Sequence, residues 1–337
     1  MKDTHDHESF VIPGMRRRSL LGMTVLGALA ASRPSAAQEK PADYPSKPIR
    51  LIVPYTPGAT TDNMSRVFAQ ELGKIVGQPV IVENRSGADT VLGSIAVKSQ
   101  PADGYTLIAN AEGLYSAKIN TPSVDYEFSD FEILAPLASI SYVFIVPADR
   151  GWNKLEDLKG LDREFDFCTL DYGVGAFSTM ATQVATALGI RYRTIPFKGS
   201  ADGLAALLSG QIDGTFTSPG TLKGLKDSPK IKVLASTNRP GGTDFVPGVK
   251  SFTEHGMPSV VYSSRFFLYG RAGIPAPVKE YLKSAIKQAQ ASEGMKMARQ
   301  NLFLDEYPGT LDDFKREMDE LRRDYEAAAA KRGKTAK

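Results

Sequence analysis

Short apolar runs that fit buried strands alternate with stretches of helical periodicity along most of the chain. The run "IRLIV" begins at Ile49, and Met64, Phe68 and Leu72 then fall on one helical face. The later strand-like runs are "QPVIVENR", "YTLIAN", "SYVFIVPAD", "FDFCTL", "RYRTIPF", "IDGTFTS", "IKVLAS" and "RFFLYG". Strands separated by helices are typical of α/β folds with parallel strands. The alternation predicts mainly parallel sheets flanked by helices.

The length of 337 residues predicts more than one domain, because it exceeds what one core usually serves. Two extended apolar segments, "PLASISYVFIVPADRGW" and "YSSRFFLYGRAGIPAP", have the character of crossings between domains. If both are hinges, residues 46–142 and 265–332 form domain 1, and residues 143–264 form domain 2. Ligands favour such domain junctions, so we expect the site in the cleft between them.

The N-terminal segment "MRRRSLLGMTVLGALAASRPSAAQ" has the order of an export signal. Basic residues from Arg16 precede a short apolar run, and small residues lead to a cut after Ala37. The run is shorter than the ~20 residues of a membrane span. We therefore expect residues 1–37 to direct export to the periplasm and to be removed. The paired Arg17 and Arg18 fit a twin-arginine signal, and an Arg-rich Sec signal fits equally well.

The residue inventory excludes several function classes. Two of the three histidines lie in the export segment, so His255 alone remains, and Cys168 is the single cysteine. A Cys/His metal site is therefore absent from the sequence, and a catalytic triad could use only His255. A net charge of +3 does not suggest nucleic-acid binding. We expect a monomer without cofactor or nucleic-acid partner.

The turn after the first strand carries no charge before its last residue, Asp62. It enters a helix whose first N–H groups lack intrahelical partners, and a carboxylate fits there without any Lys or Arg. Gly58 lets the backbone approach a ligand closely. In the alternative interpretation, Thr60 or Thr61 caps the helix and Asp62 only favours its positive end. The predicted contacts are Tyr55, Thr56, Gly58, Ala59, Thr60, Thr61 and Asp62.

Five motifs in register resemble the Bug family, the tripartite tricarboxylate transporter receptors. They are "YPSKPIRLIVPYTPGATTD", "GQPVIVENRSGAD", "PADGYTL", "PFKGSADGLAALLSGQID" and "GIPAPV". The resemblance implies a two-domain periplasmic-binding-protein fold, the type II Venus flytrap. It implies a receptor for a small carboxylated solute, serving membrane permease subunits or a sensor. The alternative is an enzyme on the same bilobal fold, but a nucleophile with an adjacent base is not apparent.

The resemblance also implies which residues hold the ligand. Backbone amides of two domain 1 loops would grip a carboxylate, and the loops after "FDFCTL", "RYRTIPF" and "IDGTFTS" would form the opposite wall. Beyond the turn, the predicted contacts are Ala88, Asp89, Asn110, Glu112, Gly175, Ser178, Thr179, Lys198, Gly199, Ser200, Thr217 and Ser218. Lys198 is either a ligand contact or a solvated loop lysine.

Three acidic residues depart from the family pattern. Asp89, Glu112 and Asp171 stand where small or neutral residues are usual. A buried carboxylate beside an anionic ligand is costly unless it is paired. The departures therefore disfavour a simple polycarboxylate and favour a ligand with an amine, amide or basic ring. In the alternative, all three side chains point to solvent.

Overall fold

The computed structural model describes residues 41, 43–171, 173–197, 200–222, 225, 228–237, 246–260 and 262–335. The export segment 1–37 lies outside this part of the chain. The strands are β1 (Ile49–Val53), β2 (Val80–Asn84), β3 (Thr106–Asn110), β4 (Phe131–Ser141), β5 (Val143–Pro147), β6 (Phe165–Thr169), β7 (Tyr192–Pro196), β8 (Gly214–Thr217), β9 (Ile231–Ser236) and β10 (Ser263–Arg271). The α-helices are α1 (Thr60–Val76), α2 (Val91–Lys98), α3 (Gly113–Asn120), α4 (Ala176–Leu188), α5 (Ser200–Leu208), α6 (Pro219–Leu222), α7 (Ala276–Gln290), α8 (Glu293–Leu302) and α9 (Leu311–Thr335). None of these helices is long and apolar enough to cross a membrane.

The strands form two sheets of five strands each. The first sheet has the order β2-β1-β3-β10-β4, and the second has the order β7-β6-β8-β5-β9. We call the first sheet with α1–α3 and α7–α9 the first lobe, and the second sheet with α4–α6 the second lobe. This arrangement confirms the predicted two-domain α/β fold.

Each sheet is mixed rather than mainly parallel. In the first sheet β1 pairs in parallel with β2 and β3, whereas β10 is antiparallel to β3 and β4. In the second sheet β6 is parallel to β7 and β8, and β5 is antiparallel to β8 and β9. Strand β5 follows the crossing into the second sheet, and β10 follows the crossing back into the first. A chain that enters a sheet in this way can run parallel or antiparallel to its neighbours.

Helix α1 shows how the sequence pattern becomes packing. Met64, Phe68, Leu72 and Val76 are buried on the face that the periodicity predicted. The helix ends at Gly77, whose left-handed φ of 73° suits glycine at a helix C-terminus. Burying each such large side chain contributes about 1.5–3 kcal/mol, so this face fixes α1 against the first sheet.

The two crossings lie side by side. The chain leaves the first sheet at Tyr142, between β4 and β5, and returns between β9 and β10. Thr237 ties them together, because its N–H donates to the Tyr142 carbonyl (2.8 Å) and its hydroxyl donates to the Tyr262 carbonyl (2.6 Å). The Tyr142 N–H in turn donates to the Thr237 hydroxyl (2.9 Å). The domain boundaries 46–142 with 265–332 and 143–264 stay a prediction.

Candidate functional site

The predicted site residues follow the carboxyl ends of parallel strands in both sheets. In the first lobe β1, β2 and β3 lead into residues 54–59, 85–90 and 111–112. In the second lobe β6, β7 and β8 end before Asp171, Lys198 and Ser218. The carboxyl ends of parallel strands lie at one edge of a sheet, where α/β proteins bind their ligands. Lys198 and Gly199 lie outside the described residues.

The turn after β1 is held by the Asp62 carboxylate. Asp62 is 1% exposed and accepts hydrogen bonds from the Gly58 N–H (2.9 Å), Asn84 Nδ2 (2.8 Å) and Arg66 Nε (3.0 Å). Burial raises the pKa of Asp62, but these hydrogen bonds outweigh burial and lower the pKa below its ordinary value. The Gly58 N–H is therefore already bonded within the protein, and a ligand role for Gly58 stays a prediction. Asp62 thus holds the turn in place, a role that the sequence did not predict.

Neither threonine at the start of α1 caps the helix. The N-cap is Ala59, whose position offers no side-chain hydrogen bond. The first helical hydrogen bond of α1 runs from the Asn63 N–H to the Ala59 carbonyl (2.9 Å). Within the described part of the chain the N–H groups of Thr60, Thr61 and Asp62 have no acceptor. Three donors at the positive end of a helix are therefore available to an anion.

The loop after β2 has an unusual backbone. Ala88, Asp89 and Thr90 all have positive φ, between 47° and 71°. Non-glycine residues seldom adopt this conformation, and such strain clusters at functional sites. Asp89 is half-buried and accepts a long hydrogen bond from the Ser116 hydroxyl (3.4 Å). Burial and the negative charge of Asp171 raise the pKa of Asp89 to about 7.

The loop after β3 brings Glu112 into a cluster of buried tyrosines. Asn110 accepts from the Tyr55 hydroxyl (2.9 Å), and Glu112 Oε1 accepts from the Arg265 N–H (2.7 Å). Burial raises the pKa of Glu112 to about 7, although the Arg265 N–H opposes the shift. Burial, and to a lesser extent the charge of Glu112, raise the pKa values of tyrosines of the first lobe and the crossings, namely Tyr55, Tyr142, Tyr262 and Tyr325. The sequence did not predict this cluster, because its members come from distant segments.

The second-lobe loop after β6 is organised by Asp171. Its carboxylate accepts from the N–H groups of Gly173 (3.3 Å), Phe177 (2.8 Å) and Ser178 (3.1 Å), and from the Ser178 hydroxyl. Gly175 permits this geometry, since a Cβ there would lie 2.7 Å from the Asp171 Cβ. The amides at the start of α4 thus already hold a carboxylate of the protein.

The remaining predicted hydroxyls have different partners. Ser178 donates to Asp171, and Ser218 accepts from the Thr221 N–H (3.2 Å) at the start of α6. Thr217 is buried, and its hydroxyl has no partner within the described residues. The Thr179 N–H belongs to the backbone of α4, and Ser200 is the first residue of α5. A ligand role for Thr179 and Ser200 stays a prediction.

Contacts between the lobes close the site. Asn120 Nδ2 donates to the Val174 carbonyl (2.7 Å), and the Val174 side chain is buried in a hydrophobic cluster with Val91 and Leu114 of the first lobe. Tyr142 and Phe177 pack edge to face, with ring centroids 5.3 Å apart. Glu112 and Asp171 are buried, so the alternative in which all three acids point to solvent is wrong. Asn120 was not predicted, since it comes from a helix that carries no motif.

Comparisons with known proteins agree with this fold. The family model described as "Tripartite tricarboxylate transporter family receptor" matches residues 64–325. Protein BugT of Bordetella pertussis is 31% identical over 285 residues, which cover 81% of this chain and 85% of BugT. MatC from Rhodopseudomonas palustris with bound malate superimposes with a TM-score of 0.72 at 20% identity, covering 85% of this chain and 100% of MatC. A second R. palustris protein, with adipate, has a TM-score of 0.75 at 23% identity and covers 86% of this chain and 99% of that chain.

Proposed function

The chain belongs to the tripartite tricarboxylate transporter receptor family, and we propose that it captures one small carboxylated metabolite between its two lobes. One carboxylate of the solute binds at the start of α1. The observation that carries the proposal is the set of three amides, at Thr60, Thr61 and Asp62, that have no acceptor among the described residues, beside a turn that Asp62 holds in place. The solved R. palustris structures with malate and adipate support a carboxylated ligand by analogy of fold.

Capture and closure are coupled in this proposal. Asn120 and Val174 join the lobes at one side of the site, while Tyr142 and Thr237 lie at the crossings. A ligand that bridges the lobes adds contacts that the open form lacks, so it shifts the population toward closure. The closed receptor is then presented to membrane permease subunits or to a sensor. The family is one of receptors, and this supports a binding role over the enzymatic alternative.

A substitution that removes one amide tests the anion site. Thr60 is the first residue of α1, where proline is tolerated, and Ala59 has a backbone (φ −64°, ψ 160°) that accepts a following proline. Thr60→Pro should therefore fold but lose one N–H donor. Losing one hydrogen bond to a charged group costs about 1.5–3 kcal/mol, which is roughly a tenfold to hundredfold loss of affinity.

The matched control is Glu293→Pro. Glu293 is the first residue of α8, and Ser292 before it has nearly the same backbone (φ −65°, ψ 153°) as Ala59. Thr60→Ala separates the loss of the amide from the loss of the hydroxyl. Isothermal titration calorimetry with carboxylates should show weak binding for Thr60→Pro alone. If folded Thr60→Pro binds carboxylates with unchanged affinity, the amide N–H groups of α1 do not bind the ligand.

We also propose that the receptor acts in the periplasm after removal of residues 1–37. The basic, apolar and small-residue order of that segment supports export. N-terminal sequencing of the protein recovered from the periplasm should begin at Gln38. Recovery of a chain that keeps the segment, in the cytoplasm, would contradict this location.

A further inference from the structure

The second-lobe side of the site offers the ligand a carboxylate instead of free amides. Asp171 is 5% exposed, and its oxygen atoms hold the N–H groups of Gly173, Phe177 and Ser178. The positive end of α4 is therefore already paired with a negative charge of the protein. A second carboxylate of a ligand would have to displace Asp171 or lie beside it.

A second carboxylate faces Asp171 from the first lobe. Ser116 and Asn120 lie one turn apart on α3; the Ser116 hydroxyl donates to Asp89, and Asn120 Nδ2 donates to the Val174 carbonyl in the loop that follows Asp171. This places Asp89 near Asp171, whose charge raises the pKa of Asp89 in addition to burial. Within the described residues neither carboxylate has an ion pair with Lys or Arg. Two neighbouring carboxylates repel each other, and either a proton on Asp89, in keeping with its raised pKa, or a bound cation relieves the repulsion.

Two buried hydroxyls, one in each lobe, have no hydrogen-bond partner within the described residues. Thr90 is 5% exposed, follows Asp89 directly, and packs against Gly113, the residue after Glu112. Thr217 is 3% exposed and ends β8, the neighbour of the strand that leads to Asp171. Buried polar groups in native structures are nearly always hydrogen-bonded. These two hydroxyls therefore indicate a polar ligand group that would complete the site.

We propose that this region binds a positively charged nitrogen, so that the solute is a small amino carboxylate whose ammonium group lies between Asp89 and Asp171. The inference rests on the receptor function proposed above, in which the carboxylate of the same solute binds at the start of α1. The ammonium group supplies such a cation, and its three N–H donors match carboxylate and hydroxyl acceptors. A dicarboxylate of the same length brings a third negative charge to the same place.

The test compares ligands that differ only at one end. For each chain length, ligand-free protein is titrated with an amino carboxylate, a dicarboxylate and an unsubstituted monocarboxylate. The amino carboxylate should bind at least about tenfold more tightly than the dicarboxylate, a difference of about 1.4 kcal/mol. If dicarboxylates bind better, this inference is wrong and the receptor function stands. If no carboxylate of any class binds, the proposed function fails and the inference fails with it.

Two variants and a control test whether Asp89 and Asp171 cause the preference for the amino carboxylate. Asp89→Asn should reduce the preference for the amino carboxylate by about tenfold, since it removes the charge that faces Asp171. Asp171→Ala frees the α4 amides and should increase affinity for dicarboxylates. Asp125→Asn is the control, because it changes the same charge in the first lobe on a side chain that is 87% exposed. If Asp171→Ala does not fold, Asp89→Asn decides: an unchanged preference in that folded variant overturns the inference.

Discussion

Asp62 should control ligand binding although its oxygen atoms face the protein. Asp62→Asn keeps the size of the side chain but replaces one oxygen acceptor by an NH₂ donor. Either the Gly58 N–H or Asn84 Nδ2 then loses its acceptor at a residue that is 1% exposed. An unpaired buried group costs about 1–3 kcal/mol. We expect the free energy of unfolding to fall by that amount and Tm to fall by several degrees.

The loss of stability caused by Asp62→Asn should depend on pH. In the folded protein burial raises the pKa of Asp62, but the hydrogen bonds from Arg66, Gly58 and Asn84 bring it below the ordinary value. A carboxyl group with a lowered pKa stabilises the fold above its unfolded pKa of about 3.9, and this contribution is lost as pH falls through the folded pKa. The difference in Tm between the parent and Asp62→Asn should therefore be full near neutral pH and shrink below about pH 4.

The assay combines thermal denaturation across pH with calorimetric titration of a carboxylate. Affinity should fall by about tenfold, because the turn that leads to the free amides of α1 loses its anchor. Asp312→Asn is the matched control, since Asp312 is an exposed acidic residue in the first turn of α9. It should change neither Tm nor affinity. Equal Tm values for parent and Asp62→Asn at every pH would refute the role of these hydrogen bonds.

Three further predictions concern the turn, the closure and the acids. Gly58→Val should fold but lose ligand affinity, because Gly58 has a φ of 83° and a β-branched residue there costs about 1–2 kcal/mol by backbone strain rather than by a clash; full affinity in the variant would contradict this. Small-angle scattering should give a smaller radius of gyration with a saturating ligand, and an unchanged profile would argue against hinge closure. Near Asp89 the described residues place Asp171, Tyr55, Tyr126 and the Ser116 hydroxyl; burial and the charge of Asp171 raise the folded pKa of Asp89 to about 7. Because that pKa is raised above the unfolded value of about 3.9, stability without ligand should fall as pH rises between these values, and Asp89→Asn should remove most of this slope; an equal slope in both proteins would contradict it.

The periodicity of the sequence was sufficient to predict most of the fold. All nine strands named from apolar runs are present, and the buried face of α1 is the predicted one. Strand β4 was not recognised as a strand of the first sheet, because Pro136 interrupts its pattern. It lies at the sheet edge with a register shift beside Pro136, where proline is tolerated. Strand direction was also not predictable, since an apolar run reads alike in either direction.

The sequence predicted which loops follow the strand ends better than it predicted the hydrogen bonds within those loops. The strand-end loops converge as expected, but the uses of Asp62 and Asp171 depend on how each loop folds back on itself. Both carboxylates accept hydrogen bonds from backbone N–H groups two to seven residues away, and composition does not reveal such local bonds. Asn120 and the tyrosines around Glu112 reach the site only through tertiary packing. For these residues the sequence carried no usable signal.

Mass spectrometry of the small molecule released from the purified receptor tests the central claim most directly. The protein is recovered from the periplasm, denatured, and compared with the Thr60→Pro variant prepared in the same way. The account predicts about one equivalent of a single small carboxylate from the parent, carrying an amino group, and much less from the variant. Release of a compound without a carboxylate, in equal amounts from both proteins, would contradict it.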